Sequence, residues 1–177
     1  PYVFEDPDNP GEYRVYIYGS HDSNITEYCG RELVVWSASP DNLNEWRYDG
    51  EILRVTYNAE GELLNESGLS DVLYAPDVAV KTEADGTKMY YLYPNDQEGG
   101  RQTLIAKSPR PDGPFEVCNW SEENPSWTYG ILEFDPSVFI DDDGQPYFYF
   151  SKDCSENYVT PTLRASQMCV CKLATIY

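Results

Sequence analysis

Acidic and aromatic side chains recur together along this 177-residue chain. Asp77 closes the run Tyr74-Ala75-Pro76-Asp77, and Asp135 lies within Phe134-Asp135-Pro136-Ser137. Asp22 (beside His21), Asp96 and Asp153 each follow an aromatic stretch. Carboxylates in a concave site can hydrogen-bond hydroxyl groups or move protons, while rings such as Tyr74 and Phe134 can stack on the C–H faces of a sugar. Each residue also has an ordinary reading. Asp before Pro is a common turn former, Asp22, Asp96 and Asp153 suit solvated loops, and a lone histidine is most often a structural donor. Asp141-Asp142-Asp143-Gly144 lacks the alternating ligands and distal Glu of a calcium loop, so it reads as a hairpin turn.

The net charge of −19 excludes partners that need a basic surface. Nucleic acids and acidic membranes are therefore set aside. No apolar stretch approaches the roughly 18 residues that cross a bilayer, and Pro1-Tyr2-Val3-Phe4-Glu5-Asp6 has neither a basic region nor a signal-type apolar core. Five cysteines, an odd number without Cys-x-x-Cys pairs, suggest neither zinc nor a disulfide framework and favour a reducing, cytoplasmic compartment.

Whatever positions these side chains is built from strands. Aromatic residues make up 15% of the chain and fall in short runs bounded by Gly, Pro, Asn and Asp, which suits pleated, half-buried surfaces. The runs 14–18, 33–36, 89–93 and 147–150 are the clearest strands, and no long window has a helical period. Pro1-Tyr2-Val3-Phe4, Pro76-Asp77-Val78-Ala79 and Pro136-Ser137-Val138-Phe139 open three similar units. Each continues through a turn to an aromatic strand, with Asp85-Gly86 and Asp143-Gly144 expected to supply positive φ angles in the second and third. Third strands are expected over 33–39, 104–108 and 167–173, and fourth strands beginning at Trp46 and Phe115. Ser39-Pro40 and Ser108-Pro109 precede those two aromatics at the same offset.

Four antiparallel strands at this repeat length describe β-propeller blades. The fold class is all-β: blade 1 over about 1–55, blade 2 over about 73–120, and blade 3 over about 134–177, ending before its fourth strand. Such a stack leaves sheet faces open, so the chain is expected to be a segment of a longer, closed propeller. Residues before each first strand and after each second strand converge on one mouth. Asp135, Asp77, His21, Asp22, Asp96 and Asp153 are placed there.

With the repeat in place, the chain resembles glycoside hydrolase family 43 over nearly its whole length. Tyr74-Ala75-Pro76-Asp77-Val78, the Asp135-Pro136-Ser137-Val138-Phe139 run with Asp142-Asp143-Gly144, and Gly113-Pro114-Phe115 are similar to motifs of that family, in its order and spacing. Tyr16 to Asp22 is similar to a first-blade motif of one branch. The resemblance implies a five-bladed propeller that hydrolyses α-L-arabinofuranosides or β-D-xylosides with inversion. An inverting mechanism uses a base that activates water and an acid that protonates the leaving oxygen, about 6.5–9.5 Å apart. A third carboxylate orients the acid and raises its pKa.

By motif, Asp135 takes that third role, and Asp77 takes a pocket-wall position in contact with substrate or with the catalytic shell. Tyr74, Phe134, His21, Asp22, Asp96 and Asp153 are the remaining candidates for substrate contact, with Trp120 and Trp127 in the 118–130 loop as possible stacking platforms. The resemblance places the general base upstream of Pro1 and the general acid beyond Tyr177, so the segment alone is expected to be inactive. No cofactor is required; some members carry an ion such as calcium in the central channel, and no ligand set for one stands out in the sequence. The expected partners are an arabinose- or xylose-containing oligosaccharide and the remaining blades of the same chain.

Two other readings stand beside this one. A non-catalytic propeller that binds glycans or proteins has the same architecture. A five-bladed fructan hydrolase or transferase would carry Arg before Asp-Pro and work with retention, whereas Phe134 precedes Asp135 here.

Overall fold

The computed structural model describes residues 1–22, 30–54, 73–96, 105–118, 134–153 and 166–172. Among these, eleven strands form three antiparallel sheets. The first contains β1 (Tyr2–Glu5), β2 (Tyr13–Ser20), β3 (Glu32–Ser39) and β4 (Asn42–Arg54), in that spatial order. The second contains β5 (Leu73–Thr82), β6 (Lys88–Asp96), β7 (Ala106–Ser108) and β8 (Glu116–Val117). The third pairs β9 (Phe134–Ile140), β10 (Pro146–Asp153) and β11 (Ser166–Lys172). Sequential meanders of this kind are propeller blades.

The middle blade explains why its second strand is a continuous aromatic run. Tyr90, Tyr91, Leu92 and Tyr93 are all less than 5% exposed. Alternate side chains point to opposite faces of a strand. Tyr90 and Leu92 therefore join Phe4, Tyr16 and Val35 of the first blade in one core, while Tyr91 and Tyr93 meet Val138, Phe148 and Phe150 of the third in another. Each such side chain contributes roughly 1.5–3 kcal/mol on full burial. The flanking blades leave apolar side chains open on their outer faces. Val3, Ile17, Trp36 and Tyr48 lie exposed on the first, and Phe139, Tyr149 and Val170 on the third.

Several bonds fasten the first blade to the second. Arg110, itself held by Asp112 of its own loop through two nitrogens at 2.9 and 2.8 Å, binds Asp8 of the first blade through two at 2.9 and 3.3 Å. Lys88 reaches Glu5 at 3.1 Å. The Tyr18 hydroxyl donates to the Pro111 carbonyl at 2.7 Å, and the Phe115 amide donates to that of Ile52 at 2.9 Å.

The hairpins differ from the sequence expectation in one respect. Gly86 and Gly144 have φ of +88° and +80°, but the preceding aspartates do not share the left-handed conformation. Each loop instead closes by a backbone bond, the amides of Glu83 and Asp141 donating to the carbonyls of Thr87 and Gln145, and the Asp85 and Asp143 carboxylates accept from the amides of Thr87 and Gln145. The carboxylate brace lets one glycine make the reversal.

The fourth strands also start elsewhere. β4 begins at Asn42 rather than Trp46, because Pro40-Asp41 form a tight turn that pairs Ser39 with Asn42. β8 begins just after Phe115, whose buried ring and amide are committed to the first blade. The Ser-Pro repeat does have a structural counterpart: the hydroxyls of Ser39 and Ser108 accept from the amides of Asp41 and Arg110.

Candidate active site

Strand register gives the equivalence between blades. Tyr2 pairs with Tyr16, Asp77 with Tyr93, and Ser137 with Tyr149. Asp77 is thus the counterpart of Tyr2 and Ser137. Asp135, two residues before Ser137, corresponds to Ala75. The two acidic residues occupy different positions of the repeat, and their surroundings differ accordingly.

Asp135 sits on a bulge. The ladder between β9 and β10 passes from Ser137–Tyr149 to Phe134–Ser151, so Asp135 and Pro136 stand opposite Phe150 alone. The same irregularity between Tyr74 and Asp77 sets Ala75 and Pro76 against Pro94. Extra residues of this kind bend a strand and re-aim side chains. Here Pro136 is buried and Asp135 is exposed. Asp135 is also the one non-glycine among the described residues with positive φ, +52°. That conformation is unfavourable for a side chain, and a following proline disfavours helical backbone further. Such a residue costs on the order of 1–3 kcal/mol and persists where the surroundings over-determine it, characteristically at functional sites.

Asp77 is buried, with 8% of its surface exposed. It lies five residues into β5 rather than at its start, because the strand continues above the bulge through Leu73. One of its oxygens accepts from the Tyr2 hydroxyl and the other from the Val138 amide at 2.6 Å. Burial of the ring, then the hydrogen bond and charge of Asp77, push the Tyr2 hydroxyl well above the usual tyrosine range. It stays a donor at any ordinary pH.

The other candidates are distributed along the same end of the sheets. Tyr74 is buried beside Asp77 on β5, and Phe134 opens β9. His21 and Asp22 follow β2 and are exposed. Asp96 and Asp153, expected beyond their strands, are instead the last residues of β6 and β10, paired with Leu73 and Ser166. The longer inner and third strands supply those partners. Trp120, Trp127 and the 56–70 loop lie outside the described residues.

Sequence reasoning passed over one buried carboxylate at this end. Glu32 binds Arg54 at 3.0 Å and accepts from the Arg31 amide at 3.0 Å. The neighbouring Gly30 carbonyl accepts from the Leu73 amide at 2.9 Å, joining the first blade to the start of β5. An isolated Arg31-Glu32 pair gives no signal of this in sequence. Among the described residues, no group of three His, Cys, Asp or Glu side chains is arranged to hold a metal ion.

An exposed, conformationally forced carboxylate beside buried aromatics can accept bonds from a polyol or act on a second carboxyl group. The family model of glycosyl hydrolases family 43 matches residues 4–174. A xylosidase/arabinosidase of Thermoclostridium stercorarium is 45% identical over 94 residues, which are 52% of this chain and 16% of that protein. Xylosidase/arabinosidase 43A of Humicola insolens is 33% identical over 146 residues, 77% of this chain and 39% of that protein. The crystal structure of a thermostable family-43 glycoside hydrolase superposes with a TM-score of 0.61 at 29% identity, covering 98% of this chain and 47% of its own. The chain therefore spans less than half the length of each.

Proposed function

The chain belongs to glycosyl hydrolases family 43, and from that premise we propose that the protein of which it forms part is a glycosidase. It cleaves α-L-arabinofuranosides, β-D-xylosides or both in plant cell-wall polysaccharides, with inversion. Asp135 orients the general acid and raises its pKa through its own negative charge. The observation that carries this reading is the left-handed backbone of Asp135 ahead of a buried proline, which turns an exposed carboxylate outward at a site where ordinary turn chemistry needs no such strain.

In this reading the base precedes the first inner strand and the acid comes from a later blade. Residues 1–177 alone then bind or bury but do not catalyse. Tyr74, Phe134, His21, Asp22, Asp96 and Asp153 contribute pocket walls and hydrogen bonds to an arabinose- or xylose-containing oligosaccharide. The remaining blades cover the apolar faces around Trp36 and Phe139. The names of the two relatives, both xylosidase/arabinosidases, support the substrate class.

The test is hydrolysis of aryl α-L-arabinofuranosides and β-D-xylosides by the full-length protein, with the product anomer followed by NMR. Inversion is expected, and Asp135→Asn should lower kcat by about 10²-fold or more. Absence of hydrolysis, with glycan binding indifferent to Asp135→Asn, would instead identify a non-catalytic binding propeller.

A further inference from the structure

The bonds of Asp77 run across blades rather than within one. Tyr2 belongs to β1, Asp77 to β5 and Val138 to β9, the three innermost strands. β9 is the edge of its sheet, so no strand of its own blade lies on its inner side. The Val138 amide bonds to the Asp77 carboxylate instead. Val138 is three residues from Asp135 and directly below the bulge that carries it. On its other side β9 is held by β10, through the Ser137–Tyr149 and Phe134–Ser151 pairs.

We propose that Asp77 is a positioning residue, whose carboxylate ties the inner strands of three successive blades and holds β9 so that Asp135 is presented in its left-handed conformation. This rests on the proposed role of Asp135 in glycoside hydrolysis. Of the two roles the motif suggests for Asp77, contact with substrate and support of the catalytic shell, the bonding favours the second: the side chain is buried, and each oxygen already holds a protein donor. The repeat points the same way. Blade 1 places a tyrosine at the equivalent position, whose hydroxyl is the donor, and blade 3 follows it with the amide that Asp77 accepts. Each inner strand thus receives a bond from, or gives one to, the inner strand of the next blade.

A tie of this kind needs acceptor geometry more than charge. An asparagine can keep both bonds, its carbonyl accepting from Val138 and its amino group donating to the Tyr2 oxygen. An alanine keeps neither. The experiment compares Asp77→Ala, Asp77→Asn and Asp135→Asn in the full-length protein, by kcat and KM on an aryl glycoside, thermal unfolding, and hydrogen exchange of residues 134–140. Asp77→Ala should lower kcat by about 10²-fold with KM within about twofold, and speed exchange at Val138. Asp77→Asn should recover kcat to within about fivefold of wild type, with exchange near normal.

A folded Asp77→Asn as inactive as Asp77→Ala would overturn the proposal, because the charge would then act on the chemistry itself. So would a folded Asp77→Ala with undisturbed exchange at Val138. Should Asp77→Ala not fold, Tyr2→Phe removes one bond only and must still speed exchange over 134–140. Full turnover by Asp135→Asn would defeat the proposed function instead, and the exchange data would still decide whether Asp77 holds β9.

Discussion

The carboxylate of Asp77 and the amide of Val138 approach to 2.6 Å although they belong to different blades. One side chain therefore bonds directly to the backbone that leads into the bulge at Asp135, while Tyr2 approaches the same carboxylate from the blade on the other side. The candidate site is framed by contacts between blades.

Tyr2→Phe should destabilise the protein by about 1–3 kcal/mol, since it leaves a buried carboxylate oxygen without its donor. Urea denaturation measures this, and an unchanged midpoint would show that water replaces the hydroxyl freely.

Asp135→Gly separates strain from function. Glycine adopts positive φ without a side-chain clash, so the variant should be up to about 1 kcal/mol more stable than wild type. Its turnover should nevertheless fall as far as that of Asp135→Asn. A less stable glycine variant would mean that the side chain of Asp135 contributes more through its contacts than its backbone conformation costs.

Gly144 has φ of +80° with open space where a side chain would project. Gly144→Ala should then cost about 1–2 kcal/mol from backbone conformation alone. Gly86→Ala, with φ of +88° in the matching hairpin, should behave alike. Thermal unfolding of the two variants side by side checks the equivalence of the two turns.

The ion pairs between the first two blades predict a response to acid. The hydrogen bond from Arg110 holds the Asp8 carboxyl below its ordinary value of 3.8. A lowered folded-state pKa gives stability that is present above the unfolded value and lost as pH falls through the folded one. Wild-type stability should decline from about pH 4 downward, and Arg110→Met should flatten that decline. High salt should shrink the difference between the two proteins, because the pair is exposed.

Much of this architecture is local and so was open to reading from the residues. Alternation and turn chemistry act over a few positions, which is why the three meanders and the Gly86 and Gly144 reversals follow from sequence. Strand ends were harder. Asp96 and Asp153 looked like loop residues because their partners, Leu73 and Ser166, come from other parts of the chain. Phe115 looked like the start of a strand, yet packing against the first blade claims it.

The two acidic motif residues mark the boundary between the levels. Asp77 and Asp135 are both aspartates next to a proline in similar units, and sequence alone placed both near the opening of an inner strand, although Asp77 proves to lie five residues into β5. Only the tertiary structure separated them. A bulge admits two residues opposite one, and the side chain that follows it is turned by the whole sheet's register. That leaves Asp135 facing outward under strain and Asp77 buried between blades with two donors. Burial and hydrogen-bonding are properties of the neighbours that folding brings, and those neighbours lie as far away in the chain as Tyr2 and Val138.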